Sequence, residues 1–312
     1  MHPRRAERRC VGFVKSMART EYAFVGLVVA ASALYLMVRR RRLLSGDVRL
    51  PAQAAPVQQL DVVAKDVVTV EESDVVHNLK SVRARMAASG PATATLVAVS
   101  KTKPVELLRE AYDAGQRDFG ENYVQEVIDK APLLPGDIRW HFIGHLQSNK
   151  VKDLLKVPNL YAVHTVDTLK LAQELQKRAA ALRPPEQRLR VFVQVNTSGE
   201  ESKSGCAPAD CPALCRAVRS SCAALDLIGL MCIGKYSAEE GGSDVDFACL
   251  RQCRVAVAGD LGLGTPEELA MSMGMSHDFE DALTAGASHV RVGSTIFGAR
   301  APKPMAKSTQ AT

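Results

Sequence analysis

Two hydrophobic periods alternate along the chain from residue 73 onward. Short apolar runs such as Leu96-Val97-Ala98-Val99 are followed by longer stretches whose apolar side chains recur at three- and four-residue steps. The first pattern predicts buried strands and the second amphipathic helices. Strands are predicted at Leu96–Val99, Arg117–Gly120, Arg139–Ile143, Leu160–Thr165, Leu189–Asn196, Leu225–Ile233, Glu268–Met273 and Ser288–Val292. Helices are predicted between them at Pro104–Ala114, Tyr123–Lys130, Leu146–Leu155, Thr168–Leu182, Pro208–Val218, Asp244–Ala258 and His277–Ala285. Eight strands separated by helices through short connections predict an α/β protein, a single (β/α)8 TIM barrel over residues 73–300. Beyond Val292 the chain is too polar and proline-broken for a good eighth helix, and 301–312 reads as a polar tail. A helix over Ser73–Ala88, capped by Ser73 and carrying Val76, Leu79, Val82 and Met86, is expected to cover that part of the barrel instead.

Upstream the pattern changes. Residues 50–72 mix Pro, Ala, Gln and Val without helical period and read as a tether. Within the basic segment 1–49, Tyr22 to Val38 is a run of seventeen uncharged residues between basic clusters, which predicts a single transmembrane helix. The Arg39 to Arg42 cluster that follows it points the body toward the cytosol, as a membrane-anchored protein. The competing expectations are a targeting extension or an upstream segment absent from the working protein, with Met37 or Met86 as a start, leaving the barrel cytosolic or mitochondrial.

Composition changes this picture little. The net charge of +6 resides in the tail: residues 1–49 hold eleven Lys/Arg against three acids, leaving twenty-nine against thirty-one in the rest. A slightly acidic body with 5% aromatics offers no groove for nucleic acid. The eight cysteines form no CxxC pair, so no metal site is expected; Cys211/Cys215 and Cys249/Cys253, four apart, read as small core residues on helix faces and as reduced thiols.

Chemistry is expected where barrel strands end. Lys101 ends strand one, at the edge of apolar walls where an amine is more easily neutral and nucleophilic, and reads as a Schiff-base former; the bland alternative is a solvated strand-end lysine. Asn122 follows strand two, His145 and Asn149 follow strand three, Asn196 ends strand five and Met231 strand six. The segments Ser272-Met273-Gly274-Met275-Ser276 and Arg291-Val292-Gly293-Ser294-Thr295 end strands seven and eight, and are glycine-bearing and hydroxyl-rich, the composition of a phosphate cup. A lysine and a phosphate cup on one rim point to pyridoxal 5′-phosphate (PLP). His141 and His145 have no third ligand at matching spacing, and Ser100 to Lys103 fits S-x-x-K without the companion motifs of serine acyl-transferases. Gly259 to Gly264 does not join a strand to a helix, and the Asn196-Thr197-Ser198 sequon lies on the proposed rim, where it is expected to be unmodified.

Seven motifs then resemble the pyridoxal phosphate homeostasis protein family: VAVSKTKP (Val97 to Pro104), FGENYV (Phe119 to Val124), WHFIGHLQSNK (Trp140 to Lys150), NTSGEESKSG (Asn196 to Gly205), GLM (Gly229 to Met231), SMGMSHD (Ser272 to Asp278) and VRVGSTIFGAR (Val290 to Arg300). The resemblance covers 73–300 and implies the alanine racemase-like barrel of PLP fold type III, without substantial turnover. It implies that Lys101 holds PLP covalently, that Ser276, Gly293 and Ser294 hold its phosphate with Thr295 adjacent, that Arg291 faces the pyridine nitrogen and that Asn122 contacts the ring. It further implies a monomeric buffer of PLP that delivers it to apo PLP-dependent enzymes. Gly286-Ala287-Ser288 departs from the family's usual Gly-Ser-Thr, and the first seventy or so residues have no counterpart. The alternative is an amino-acid racemase on the same barrel. That chemistry calls for a second acid–base group from an additional domain, and the chain continues only twelve residues past Arg300.

Overall fold

The computed structural model describes residues 72–235 and 244–299. Within them, eight strands close a barrel in chain order: β1 (Thr95–Val99), β2 (Asp118–Glu121), β3 (Arg139–Phe142), β4 (Leu160–Val166), β5 (Leu189–Val195), β6 (Leu225–Cys232), β7 (Ala270–Ser272) and β8 (His289–Val292). All neighbours are parallel, and β1 closes the ring on β8 with Leu96 opposite Val290 and Ala98 opposite Val292. The helices are α1 (Asp74–Ser89), α2 (Val105–Asp113), α3 (Val124–Lys130), α4 (Val151–Leu154), α5 (Leu169–Leu182), α6 (Cys211–Ser221), α7 (Asp244–Leu261), α8 (Phe279–Thr284) and α9 (Ser294–Phe297).

Strand side chains alternate between two faces, and here the faces bury different chemistry. Outward-facing Leu96, Ala98, Phe119, Trp140, Val163 and Val191 join the inner faces of the helices in one continuous apolar layer. The opposite positions fill the barrel. A Cβ on Gly120 would meet Val97, Val99 and Ile143, and the rings of His141, His164, Phe192 and His289 meet although they come from four different strands. Only the interior lets β3, β4, β5 and β8 touch.

Local chemistry accounts for the departures from the predicted bounds. Strand β7 is three residues long because Thr265 and Glu268 form a capping box that winds Pro266–Glu268 into a short turn just before it. The helix expected over Leu146–Leu155 is reduced to α4, preceded by a 3-10 turn at Ser148–Lys150. Helix α1 is capped as expected, Ser73 Oγ accepting from Val76 N at 3.4 Å, but Val75 rather than Val76 joins Leu79, Val82 and Met86 on the buried face. It packs beside α2, α8 and the short α9, in the part of the wall where a full eighth helix is missing, with Asn78 donating to Ile296 O of α9 at 3.3 Å.

One expectation is overturned. Among the described residues no helix is long and apolar enough to cross a membrane, so the membrane-anchored, cytosol-facing placement does not stand. Tyr22 to Val38, the stretch that prompted it, lies outside the described residues.

Candidate functional site

At the C-terminal ends of the strands a cavity of about 320 Å³ is lined by Val99, Lys101 and Lys103 at and after the end of β1, Asn122 after β2, Ile143 after β3, Met231 of β6 and Ile233 just past it, Ser276 after β7, Arg291 of β8, and Gly293 and Ser294 just past it. The inward register of the strands delivers these side chains: 97, 99 and 101, and likewise 289, 291 and 293, are successive residues of one face.

The turn carrying Lys101 is clamped. Thr102 has φ of 60°, an uncommon left-handed conformation for a β-branched residue, and its N–H donates to Glu126 Oε2 at 2.8 Å. Before it, Ser100 O accepts from Lys130 Nζ at 2.9 Å, and Lys130 is also bonded to Glu121 and Glu126. Lys130 and Glu121 are buried, with Ser100 Oγ donating to Glu121 Oε1 at 2.6 Å. Burial lifts the Glu121 carboxyl to about 7, even though Lys130 and Ser100 pull the other way. Lys103 is tied down separately, its Nζ donating to the carbonyls of Phe297, Gly298 and Ala299 at 2.8 to 2.9 Å.

Opposite, two segments meet. Gly274 turns with φ of 88°, where a Cβ would strike Ala282 at 2.5 Å, and Asp278 Oδ1 accepts from Met275 N at 2.6 Å, which together shape the loop after β7. Ser276 Oγ accepts from Gly293 N at 3.1 Å, joining that loop to the end of β8. Thr295 stands outside the cavity lining, its hydroxyl on Ser276 O at 3.4 Å.

Arg291 is buried, and its hydrogen bonds go to neutral oxygens: Nη1 to Ser272 Oγ and Nη2 to Cys232 O, both at 2.8 Å. Behind Ser272 a polar column runs down the barrel: Ser272 Oγ to His164 Nδ1 at 2.9 Å, His164 Nε2 to His141 Nδ1 at 2.9 Å, and His141 Nε2 to Asp118 Oδ1 at 3.0 Å. Asp118 ends the column in a two-point pair with Arg139 at the far rim. Burial alone would raise the Asp118 carboxyl, but donation from Arg139 and His141 outweighs it and holds the carboxyl down to about 2. Burial pushes His141 and, further, His164 below the ordinary imidazole value, and takes His289 down to about 4. With Asp118 ionised and the imidazoles neutral, the proton positions follow. His141 Nε2–H donates to the carboxylate, His164 Nε2–H to His141, the Ser272 hydroxyl to His164, and Arg291 to the Ser272 oxygen. Every member is satisfied and each bond polarises the next.

A second cavity of about 460 Å³ adjoins the first through Asn122 and is lined by Tyr123, Gln125, His145, Gln147 and Lys150. Asn196, also expected at the rim, instead shapes its own loop, donating to Glu200 O at 2.9 Å.

Residues 70–301 match the family model described as alanine racemase, N-terminal domain. The chain is 46% identical over 235 residues to the pyridoxal phosphate homeostasis protein of Pseudomonas aeruginosa, covering 73% of this chain and 96% of that one. It is 46% identical over 212 residues to the human protein of the same name, covering 66% and 76%. The chain belongs to the pyridoxal phosphate homeostasis protein family. PipY of Synechococcus elongatus PCC7942, solved with PLP bound, is similar with 33% identity and a TM-score of 0.58, covering 72% of this chain and all of that one.

Of the residues singled out through the resemblance to pyridoxal phosphate homeostasis proteins, Lys101, Asn122, Ser276, Arg291, Gly293 and Ser294 converge on one cavity, and Thr295 supports it from behind. The clamp of Glu121, Glu126 and Lys130 and the column of His141, His164 and Ser272 escaped sequence reading. The only signal for the column was a buried polar residue at an inward position of β3, β4 and β7.

Proposed function

We propose that this chain is a PLP-binding protein that buffers the cofactor inside the cell and delivers it to apo-enzymes, with residues 73–300 as the binding unit. The observation that carries the reading is the convergence of a strand-end lysine, a buried arginine and a Ser/Gly cup on one cavity of ligand size. The residues fit the group. Asn122 Oδ1 is a buried acceptor without a hydrogen-bond partner, and a Cβ on Gly293 would lie 3.1 Å from Val99 O, so a side chain there would have to push that wall back. PLP when bound supplies an aldehyde that condenses with a primary amine, and a pyridine ring whose electron demand depends on the proton at its nitrogen.

Lys101 supplies the amine, held in place by the Lys130 and Glu126 clamp on either side of it. The Ser276 and Ser294 hydroxyls face a phosphate beside the bare backbone of Gly293, whose N–H is on Ser276 Oγ, and Thr295 braces Ser276. Arg291 presents donors only, so it favours an unprotonated ring nitrogen and leaves the ring a weak electron sink. The hydrogen-bonded column behind Ser272 fixes the position of the guanidinium. A site of this kind holds the cofactor without promoting carbanion chemistry. The test offers the purified, loaded protein a panel of L-amino acids with chiral product detection, and in parallel an apo-enzyme acceptor in the presence of an aldehyde trap. Transfer without turnover is expected. Stereospecific turnover that is lost in Lys101→Ala would replace the buffer with a racemase.

A further inference from the structure

At the end of the barrel away from the cofactor cavity, residues at the starts of β3 to β6 surround a cavity of about 440 Å³, with Arg139, Arg183, Arg188 and Arg190 in its lining beside Tyr161. Two of the four guanidiniums are neutralised, Arg139 by its two-point pair with Asp118 and Arg188 by Asp226. The other two are not. The Arg190 guanidinium lies over the Tyr161 ring, 4.4 Å from its centroid, and among the described residues neither a carboxylate nor a hydrogen-bond acceptor is paired with it. Half-buried Arg183 donates to Leu160 O at 2.8 Å and likewise has no carboxylate partner among the described residues. The two charges are near enough to repel: burial first, and then the charge of Arg190, draw the Arg183 guanidinium below its ordinary value. Of the other acids in the lining, Asp137 is taken up by Arg117 and the Tyr112 hydroxyl, and Glu186 is exposed and forms no ion pair among the described residues. A neighbouring cavity of about 450 Å³ shares Arg139 but differs in this respect. There Arg83 donates to Ala114 O and Gln116 Oε1, and Arg117 to Tyr112 O, Gln116 O and Asp137.

We propose that the cavity lined by Arg183 and Arg190 is an anion site, separate from the cofactor cup, that holds the phosphate of a small phosphomonoester between these two guanidiniums. A guanidinium is a rigid fork of N–H donors matched to phosphate oxygens, and it does not shed its charge. The repulsion within such a pair is therefore relieved by an anion that reaches both. A phosphomonoester carries a charge of about −1.5 to −2 near pH 7 and has oxygens for both forks, whereas a monocarboxylate balances one of them. The cavity is larger than a bare phosphate needs and leaves room beside Tyr161 for the attached organic group. Because Asp118 and Asp226 already balance Arg139 and Arg188, the remaining pair sets the charge of the ligand. The concentration of arginine is local, since residues 50–312 hold twenty-nine Lys/Arg against thirty-one acids. The site does not depend on the cofactor reading, whose phosphate cup lies at the other end of the strands.

The test titrates ribose 5-phosphate into the full chain loaded with PLP, so that the cofactor cup is already filled, and repeats the titration in Arg183→Gln, Arg190→Gln and the distant control Arg85→Gln. One molecule per chain is expected to bind, about tenfold more weakly in the first two variants and unchanged in the control, with the bound PLP undisturbed. Affinity should fall as salt is raised. A second readout needs no variant. Phenylglyoxal modification of the unaltered chain, followed by peptide mapping, should show Arg183 and Arg190 protected by ribose 5-phosphate while exposed Arg85 reacts equally with and without it. If the chain takes up no PLP, the cofactor reading fails, and the same protection map on the unloaded chain still decides this site. No saturable binding, the same affinity in Arg183→Gln and Arg190→Gln as in the unaltered chain, or protection confined to arginines outside the cavity would overturn the proposal.

Discussion

The barrel has two cores, and they are made of different materials. Between strands and helices lies an unbroken apolar layer that includes Leu79, Leu108, Trp140, Leu175 and Phe279, all fully buried. Inside the strand ring apolar side chains such as Val97, Val99, Ile143, Ala162, Phe192 and Met231 share the space with His141, His164, His289, Gln194, Ser272 and Arg291. The outer layer gains free energy by removing apolar surface from water, with no directional requirement beyond shape. The inner column is held by hydrogen bonds that must all be made at once, and its gain is the fixed position of Arg291 under the cavity. Stability is thus concentrated outside the ring and chemistry inside it.

The largest effect that would test this division is Leu175→Ala on α5. It should lower the unfolding free energy by about 3 kcal/mol in urea titration while leaving cofactor affinity unchanged. An equal fall in cofactor affinity would mean the two cores are not separable. The inner core should reveal itself through pH instead. The folded value of His289 is about 4 against an ordinary 6.5, so the unfolded chain takes up a proton first as pH falls. Its contribution is complete above pH 6.5 and is lost toward pH 4, amounting to about 3 kcal/mol. His141 and His164 act in the same direction. Glu121, raised to about 7, opposes them by costing stability as pH rises from 4.5. The melting temperature should therefore climb between pH 4 and 6.5, and His289→Gln should flatten that climb. A smaller effect is expected at the clamp. Thr102→Gly relieves a left-handed β-branched residue and should stabilise the fold by about 1 kcal/mol in thermal unfolding. Destabilisation of that size would show that the Thr102 side chain has a role beyond the strain.

The outer core was legible in the sequence because its signal is periodic. Leu108 and Ala111, or Leu171 and Leu175, recur at helix spacing, and strands flanked by such helices leave few architectures open. The rim was legible because a short motif carries each of its segments, as with Lys101 and Gly293. The inner column was not. His141, His164 and Ser272 are far apart in sequence, from 23 to 108 residues, and nothing local links them until the ring closes. The bounds of β7 and α4 failed for the opposite reason: a capping box and a 3-10 turn, both local, overrode the periodic pattern. The membrane placement came from a stretch outside the described residues and had no counterpart in the barrel.

The central claim, that the clamped rim at the end of β1 presents Lys101 to the cofactor, is tested most directly by borohydride reduction of the full chain loaded with PLP, followed by peptide mass mapping. The account predicts one reduced pyridoxyl adduct, on Lys101, absent from Lys101→Ala and retained in Lys103→Ala, whose lysine is bonded to carbonyls at and just past the end of α9. An adduct on Lys103, or the same labelling in Lys101→Ala as in the unaltered chain, would contradict it.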